Sequence, residues 1–151
     1  MYDTLPDPPT ILEDEDVIVR FVRMTPGNLS RGFVPGYHFA ICLRDGTAAG
    51  HVNFRVGDTD HVRISAGHIG YAVDPPFRGR GLAAKACRVL APFVAAVAGK
   101  VIITSDPDNA ASIRTIGRIG AAFVDEVKVP EEDPHYARGS RRKRRYLWKP
   151  A

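Results

Sequence analysis

Arg78, Gly79, Arg80 and Gly81 place two cations and two backbone positions without side chains in four consecutive residues. The chemistry such a group suits is the holding of a phosphate or pyrophosphate. Without a Cβ at Gly79 and Gly81 the backbone can close on an anion, and the small Ala83 and Ala84 let the anion approach. Arg78 and Arg80 add full positive charge. A helical pattern starts at Gly81, and the first turn of a helix has N–H groups with no intrahelical acceptor and a partial positive charge. Glycines after a strand also make plain tight turns, so on composition alone both readings stand.

For that turn to work, a strand must deliver it and a helix must receive it. Gly67 to Val73 reads as the strand, stopped by Asp74-Pro75-Pro76 because proline cannot continue a central ladder. Between Gly81 and Ala98 the apolar residues Leu82, Ala86, Val89, Leu90, Phe93 and Val97 recur at helical spacing, with Lys85 and Arg88 on the other side. Pro92 inside this pattern is expected to kink or divide the helix. Upstream, Val17 to Val22 is rich in β-branched residues. Tyr37 to Leu43 ends at the turn signal Arg44-Asp45-Gly46-Thr47, and Ala49 to Val56 pairs back as a hairpin. Downstream, Val101 to Thr104 is a continuously apolar strand. Asp108 or Asn109 caps a second helix ending near Gly120, and Ala122 to Val129 and Arg144 to Trp148 are the last strands. Residues 130–140 read as a loop. Four strands, helix, strand, helix, two strands give an α/β domain with a mixed sheet. The passage from Gly67 to Thr104 is a crossover whose two strands should lie parallel.

The length of 151 residues fits one domain, placed at 17–151, with the acidic, Pro-rich residues 1–16 as a flexible tail. No apolar run reaches the roughly 18 residues a membrane span needs. The start Met1-Tyr2-Asp3 does not read as a targeting segment, which points to a cytoplasmic protein. Cys42 and Cys87 are expected reduced and buried, and no Cys/His cluster has metal-ligand spacing. Arg138, Arg141, Arg142, Lys143, Arg144, Arg145 and Lys149 follow one another with no acid between. Such a run suits a nucleic-acid contact, a patch for a polyanionic small ligand, or a strand with a solvated basic face. A net charge of +4 favours the local readings over nucleic acid.

Taken together, Arg78-Gly79-Arg80-Gly81-Leu82-Ala83 resembles the Gln/Arg-x-x-Gly-x-Gly/Ala signature of the GNAT superfamily of N-acetyltransferases. Gly70-Tyr71-Ala72-Val73-Asp74-Pro75 looks like that family's approach to the signature. Asp106-Pro107-Asp108-Asn109-Ala110-Ala111-Ser112 is similar to its Asn-x-x-Ser helix start, and Gly120-Ala121-Ala122-Phe123 to its helix-ending turn. The branch it resembles most is that of the ribosomal-protein N-terminal acetyltransferases. The resemblance implies an acyl-CoA N-acyltransferase fold of about seven strands and two main helices. It further implies acetyl-CoA as co-substrate, with no metal. The pantetheine arm would lie beside Ala72 and Val73, the pyrophosphate on the N–H groups from Gly79 to Ala83, Leu82 among them, and Asn109 and Ser112 near the thioester sulfur.

The implied reaction is acetyl transfer to a primary amine by direct attack in a ternary complex. An alkylammonium with a pKa near 10 must first lose a proton, so a base is expected, with His68, His51 and His38 as candidates. Many family members protonate the departing thiolate with a tyrosine on the second helix. Here Ser112-Ile113-Arg114-Thr115-Ile116-Gly117 has none, so either Ser112 takes that place or no acid is needed. Family members usually carry one or two helices between the first two strands, whereas Met24 to Gly36 is short and rich in Gly and Pro. An open acceptor side follows, favouring a homodimer. The rivals are a non-catalytic acyl-CoA-binding sensor or scaffold, and nucleic-acid binding through the basic run.

Overall fold

The computed structural model describes residues 5–150. Alternating apolar and polar residues in the first half form a five-stranded antiparallel sheet in sequence order. Its strands are β1 (Ile11–Glu13), β2 (Val17–Thr25), β3 (Gly36–Leu43), β4 (Ala48–Arg55) and β5 (Ile69–Val73). Along β3 the side chains of Tyr37, Phe39 and Ile41 are buried, while His38 and Ala40 between them are only half-buried, on the opposite face. Helix α1 (Leu82–Ala98) packs on the buried face with Leu82, Ala86, Leu90 and Val94. Phe93 meets Tyr37 edge-on at 5.0 Å and Phe54 at 6.0 Å between ring centroids. Burying each large apolar side chain contributes roughly 1.5–3 kcal/mol. That contact fixes α1 on the sheet, and so fixes where its first turn sits relative to the end of β5.

The second half builds a smaller sheet. Strands β6 (Val101–Ser105), β7 (Ala122–Lys128) and β8 (Arg142–Trp148) are antiparallel in the order β6–β8–β7. Helix α2 (Ala110–Arg118) links β6 to β7, and the single turn α3 (Pro134–Ala137) lies between β7 and β8. No helix among the described residues is long and apolar enough to cross a membrane.

Several expectations need correction. Among the described residues there are eight strands, the stretch read as a flexible tail supplying β1. Ile11 pairs with Arg20 and Glu13 with Ile18. The Asp14 carboxylate closes the turn between them, accepting from the N–H groups of Asp16 and Val17 at 2.7 and 2.8 Å. Residues 1–4 of that tail lie outside the described residues. Helix α1 is not divided at Pro92. The loop 130–140 contains α3, which Asp133 caps by accepting from the His135 N–H at 2.9 Å. A π-helical turn, His61–Ala66, precedes β5 where no element was expected.

The expected parallel pair is absent as well. β5 and β6 stand at the edges of two different sheets, and no ladder joins them among the described residues. They meet at one point, where the His68 N–H donates to the Ile102 carbonyl at 2.7 Å and the Ile102 N–H donates to His68 Nδ1 at 2.9 Å. Gly67 permits this approach. Its φ is +70°, and a Cβ there would lie 3.0 Å from the Thr104 nitrogen.

The link between β2 and β3 is short, as expected. β2 runs on to Thr25, one 3₁₀ turn follows at Leu29–Arg31, and Asn28 bridges to Phe33. No helix from this link covers the sheet face opposite α1.

Candidate functional site

Val73 ends β5, and the Asp74 N–H still reaches the Ala49 carbonyl at 2.8 Å. Pro75–Phe77 makes one 3₁₀ turn, and the chain then enters α1 through Gly79 (φ +81°) and Gly81 (φ +71°). Both φ values lie where a Cβ is strained, which is why this turn needs glycine. Gly81 caps α1 with no side-chain acceptor, and Lys85 is the first residue whose N–H finds a helical carbonyl, that of Gly81 at 3.1 Å. The N–H groups from Gly79 to Ala84 have no partner among the described residues. A row of unpaired donors at a helix start is an anion site in waiting.

The turn forms the mouth of a cavity of about 480 Å³ that continues into the gap between β5 and α2. Nine of the residues expected at a binding site line it: Ala72, Val73, Arg78, Gly79, Gly81, Leu82, Ala83, Asn109 and Ser112. Arg80 belongs to the turn but is not part of the lining. Register refines the part played by β5. The ladder to β4 uses alternate residues, shown by Arg55 N–H to His68 O and Asp74 N–H to Ala49 O. By that alternation Ala72 faces His51 across the ladder, and the backbone groups of Tyr71 and Val73 face the gap. The Val73 carbonyl there accepts from Arg78 Nε at 2.8 Å. Across the gap, Asn109 caps α2 by accepting from the Ser112 N–H at 3.1 Å.

The family model described as "Acetyltransferase (GNAT) domain" matches residues 2–122. The chain belongs to the GNAT acetyltransferase family. Solved structures agree in fold. The ribosomal-protein-S5-alanine acetyltransferase from Vibrio fischeri is similar with a TM-score of 0.66 at 13% identity, over 94% of this chain and 97% of that one. RimJ of Mycobacterium smegmatis, in complex with CoA-disulfide, gives 0.56 at 22% identity over 74% of this chain and 52% of that one. The microcin C7 self-immunity acetyltransferase MccE, in complex with acetyl-CoA and AMP, gives 0.56 at 20% identity, over 74% and 59%. The chain thus spans about three-fifths of MccE and half of RimJ. No curated protein sequence matches it.

Of the lining residues of this GNAT chain that escaped the sequence reading, three bear on its chemistry. Arg114 and Arg118 of α2 both line the cavity. Their four-residue spacing puts them on one helix face, a signal that was available. A Cβ on Gly81 would lie 3.3 Å from Arg118 Nη1, so this cation stands close to the glycine turn. The third is Tyr71, whose hydroxyl lies 2.9 Å from Ser112 Oγ and 3.3 Å from the Ser112 carbonyl oxygen. Burial pushes the phenol up to about 12, against a smaller opposing effect of the Ser112 hydrogen bond.

His68 does not join them. It is buried outside the cavity lining. Nδ1 accepts from the Ile102 N–H, so Nε2 carries the proton and donates to the Gly57 carbonyl at 3.0 Å, with Asp58 Oδ1 at 3.2 Å. A general base needs a free lone pair, and the one on His68 is taken by backbone. His38 and His51 lie instead on the open face of the sheet, in a groove of about 270 Å³ shared with Arg23 and Asn53. Burial and then the Arg23 charge hold His38 below its ordinary value, and its Nε2 is 2.9 Å from Thr25 Oγ1. His51 sits directly opposite Ala72 in the ladder.

The basic run is largely committed within the fold. Arg145 holds Asp125 with two bonds of 2.8 and 2.7 Å, Arg142 reaches Glu126 at 2.6 Å, and buried Lys143 meets Asp106 at 2.7 Å. Arg144 lies 4.3 Å above the Phe123 ring and Arg141 3.7 Å above that of Tyr136. Both cysteines are buried and unbridged, and burial raises the Cys87 thiol to about 12.

Proposed function

We propose that the chain binds acetyl-CoA and transfers its acetyl group to a primary amine by direct attack within a ternary complex. The observation that carries this reading is the continuity of one cavity, from unpaired N–H groups and cations at its mouth to a free strand edge and a serine hydroxyl within. A pyrophosphate suits the donors from Gly79 to Ala84 with Arg78, Arg80, Arg114 and Arg118 around them. The amides of a pantetheine arm suit the gap-facing backbone of Tyr71 and Val73, as an extended peptide suits a sheet edge. MccE and RimJ, similar in fold, are complexes of acetyl-CoA and of CoA-disulfide.

In this reading the amine lone pair attacks the thioester carbonyl carbon, and a gap-facing N–H of β5 further back along the strand than Val73 takes the developing oxyanion. The C–S bond then breaks towards a thiolate with a pKa around 8.5, which Ser112 meets with its hydroxyl. His51, opposite Ala72 and with no role in the core, takes the place of base that His68 cannot fill. The uncovered sheet face admits the acceptor, and a second copy of the chain completing that side belongs to the same reading.

The test follows thiol release from acetyl-CoA against a panel of peptide N-termini, polyamines and amino sugars. Amine-dependent release supports the proposal. Tight acetyl-CoA binding with no release by any amine would recast the chain as an acyl-CoA-binding protein.

A further inference from the structure

We propose that Tyr71 is a positioning residue that orients the Ser112 hydroxyl towards the departing sulfur, so that strand β5 supplies the tyrosine that helix α2 lacks. This rests on the acetyl-transfer reading above. The two hydroxyls come from opposite walls of the gap, 41 residues apart in sequence, and lie 2.9 Å from each other. Both residues line the cavity. The direction of the cavity places the reacting atoms beside them. Its anion-binding turn follows the end of β5, so a ligand whose phosphates occupy the mouth runs back along the strand, past Val73 to Tyr71. Beyond Tyr71 the gap closes at the His68–Ile102 contact. The end of the ligand opposite its phosphates therefore lies at the hydroxyl pair.

The phenol is largely enclosed and stays protonated through the working pH range, so its hydrogen is available to Ser112 Oγ at 2.9 Å, a nearer acceptor than the Ser112 carbonyl at 3.3 Å. When it donates to Ser112 Oγ, it occupies an acceptor site of the serine, whose own hydrogen is then turned away from Tyr71 and into the gap. Linked hydroxyls polarise one another, which strengthens the outer donor. A phenol held near 12 and an aliphatic alcohol are both weaker acids than a thiol near 8.5. Their contribution is thus to hold the thiolate by hydrogen bonding rather than to protonate it. The nitrogen–carbon bond forms, the C–S bond breaks, and its electron pair stays on sulfur against the Ser112 O–H. The proton lost by the attacking nitrogen later returns to sulfur through solvent.

The test needs no acceptor. Free CoA is bound to the protein, and the ultraviolet absorbance of its thiolate is followed against pH in wild type, Ser112→Ala and Tyr71→Phe, each as the difference from CoA-free protein. The bound thiol in wild type should ionise below its value in solution. Ser112→Ala should cost roughly tenfold in thiolate fraction at a given pH, and Tyr71→Phe, which keeps the ring and its packing, a few-fold. Equal ionisation in all three, or a shift in Ser112→Ala with none in Tyr71→Phe, would overturn the role given to Tyr71. Failure of wild type to bind CoA would instead overturn the acetyl-transfer reading beneath it.

Discussion

At its start β5 is tied to β6 through His68, whose ring nitrogens and backbone N–H all have partners. At its end Val73 leads to the glycine turn, whose N–H groups from Gly79 to Ala84 have none among the described residues. The tied end is extended by the π-helical turn, where Thr104 Oγ1 donates to the Ser65 carbonyl at 2.7 Å and Arg145 to the Arg63 carbonyl at 3.2 Å. His61 there meets Asp133 at 2.7 Å. Past the pin, the end of β5 faces α2 across the cavity. Stability is concentrated at the pin, and binding capacity at the mouth. The difference teaches that unsatisfied backbone, costly in a core, is the functional feature where it faces a cavity.

The comparison breaks most visibly at His68. His68→Ala strands the Ile102 N–H and the Gly57 carbonyl and leaves a void, so thermal unfolding should fall by roughly 2–4 kcal/mol, or some 5–10 °C. An unchanged melting temperature with CoA binding lost would reverse the assignment of the two ends.

A second effect, smaller and pH-dependent, lies beside the pin. Burial, then the charges of Lys143 and Arg138, lowers His135 to about 4, against an ordinary value near 6.5. A group whose folded pKa is depressed contributes stability above its unfolded pKa and loses it as pH falls towards the folded one. Denaturant midpoints should therefore decline between about pH 6.5 and 4. His135→Gln should flatten that window while leaving the neutral-pH midpoint within about 1 kcal/mol. An equally steep decline in the variant would assign the loss to other groups.

The smallest effect belongs at the open end. Asn109→Ala removes the cap of α2 and should cost about 1 kcal/mol of stability in a denaturant titration. The same variant should weaken CoA binding several-fold, since the α2 start lines the cavity. Binding left at the wild-type level would narrow the site to the glycine turn and β5.

The mouth of the cavity was legible in the sequence because its signals are local. Two glycines, two arginines, a proline stop and an apolar period all sit within one stretch, and the Asn109 cap lies just before its helix. The rest depends on partners far along the chain. Tyr71 read only as a strand residue until Ser112 was brought across the gap. His68 read as a candidate base because nothing nearby in the sequence shows that Ile102 and Gly57 close on it. The basic run read as surplus charge because its acids, Asp125, Glu126 and Asp106, reach it through strand register and a loop rather than through sequence proximity. β1 was missed because three residues among acids and prolines carry no periodicity, although Asp14 held the turn signal.

The most direct test is calorimetric titration of acetyl-CoA into wild type, Gly81→Glu and Gly99→Glu. Gly81 (φ 71°, ψ 20°) and Gly99 (φ 75°, ψ −67°) cap opposite ends of α1, so the second variant imposes a backbone strain at least as great without touching the cavity. The account predicts binding by wild type and Gly99→Glu, and loss of at least a hundredfold in folded Gly81→Glu, where a carboxylate faces the phosphate donors. Equal affinity in all three, or no binding by well-folded wild type, would contradict it.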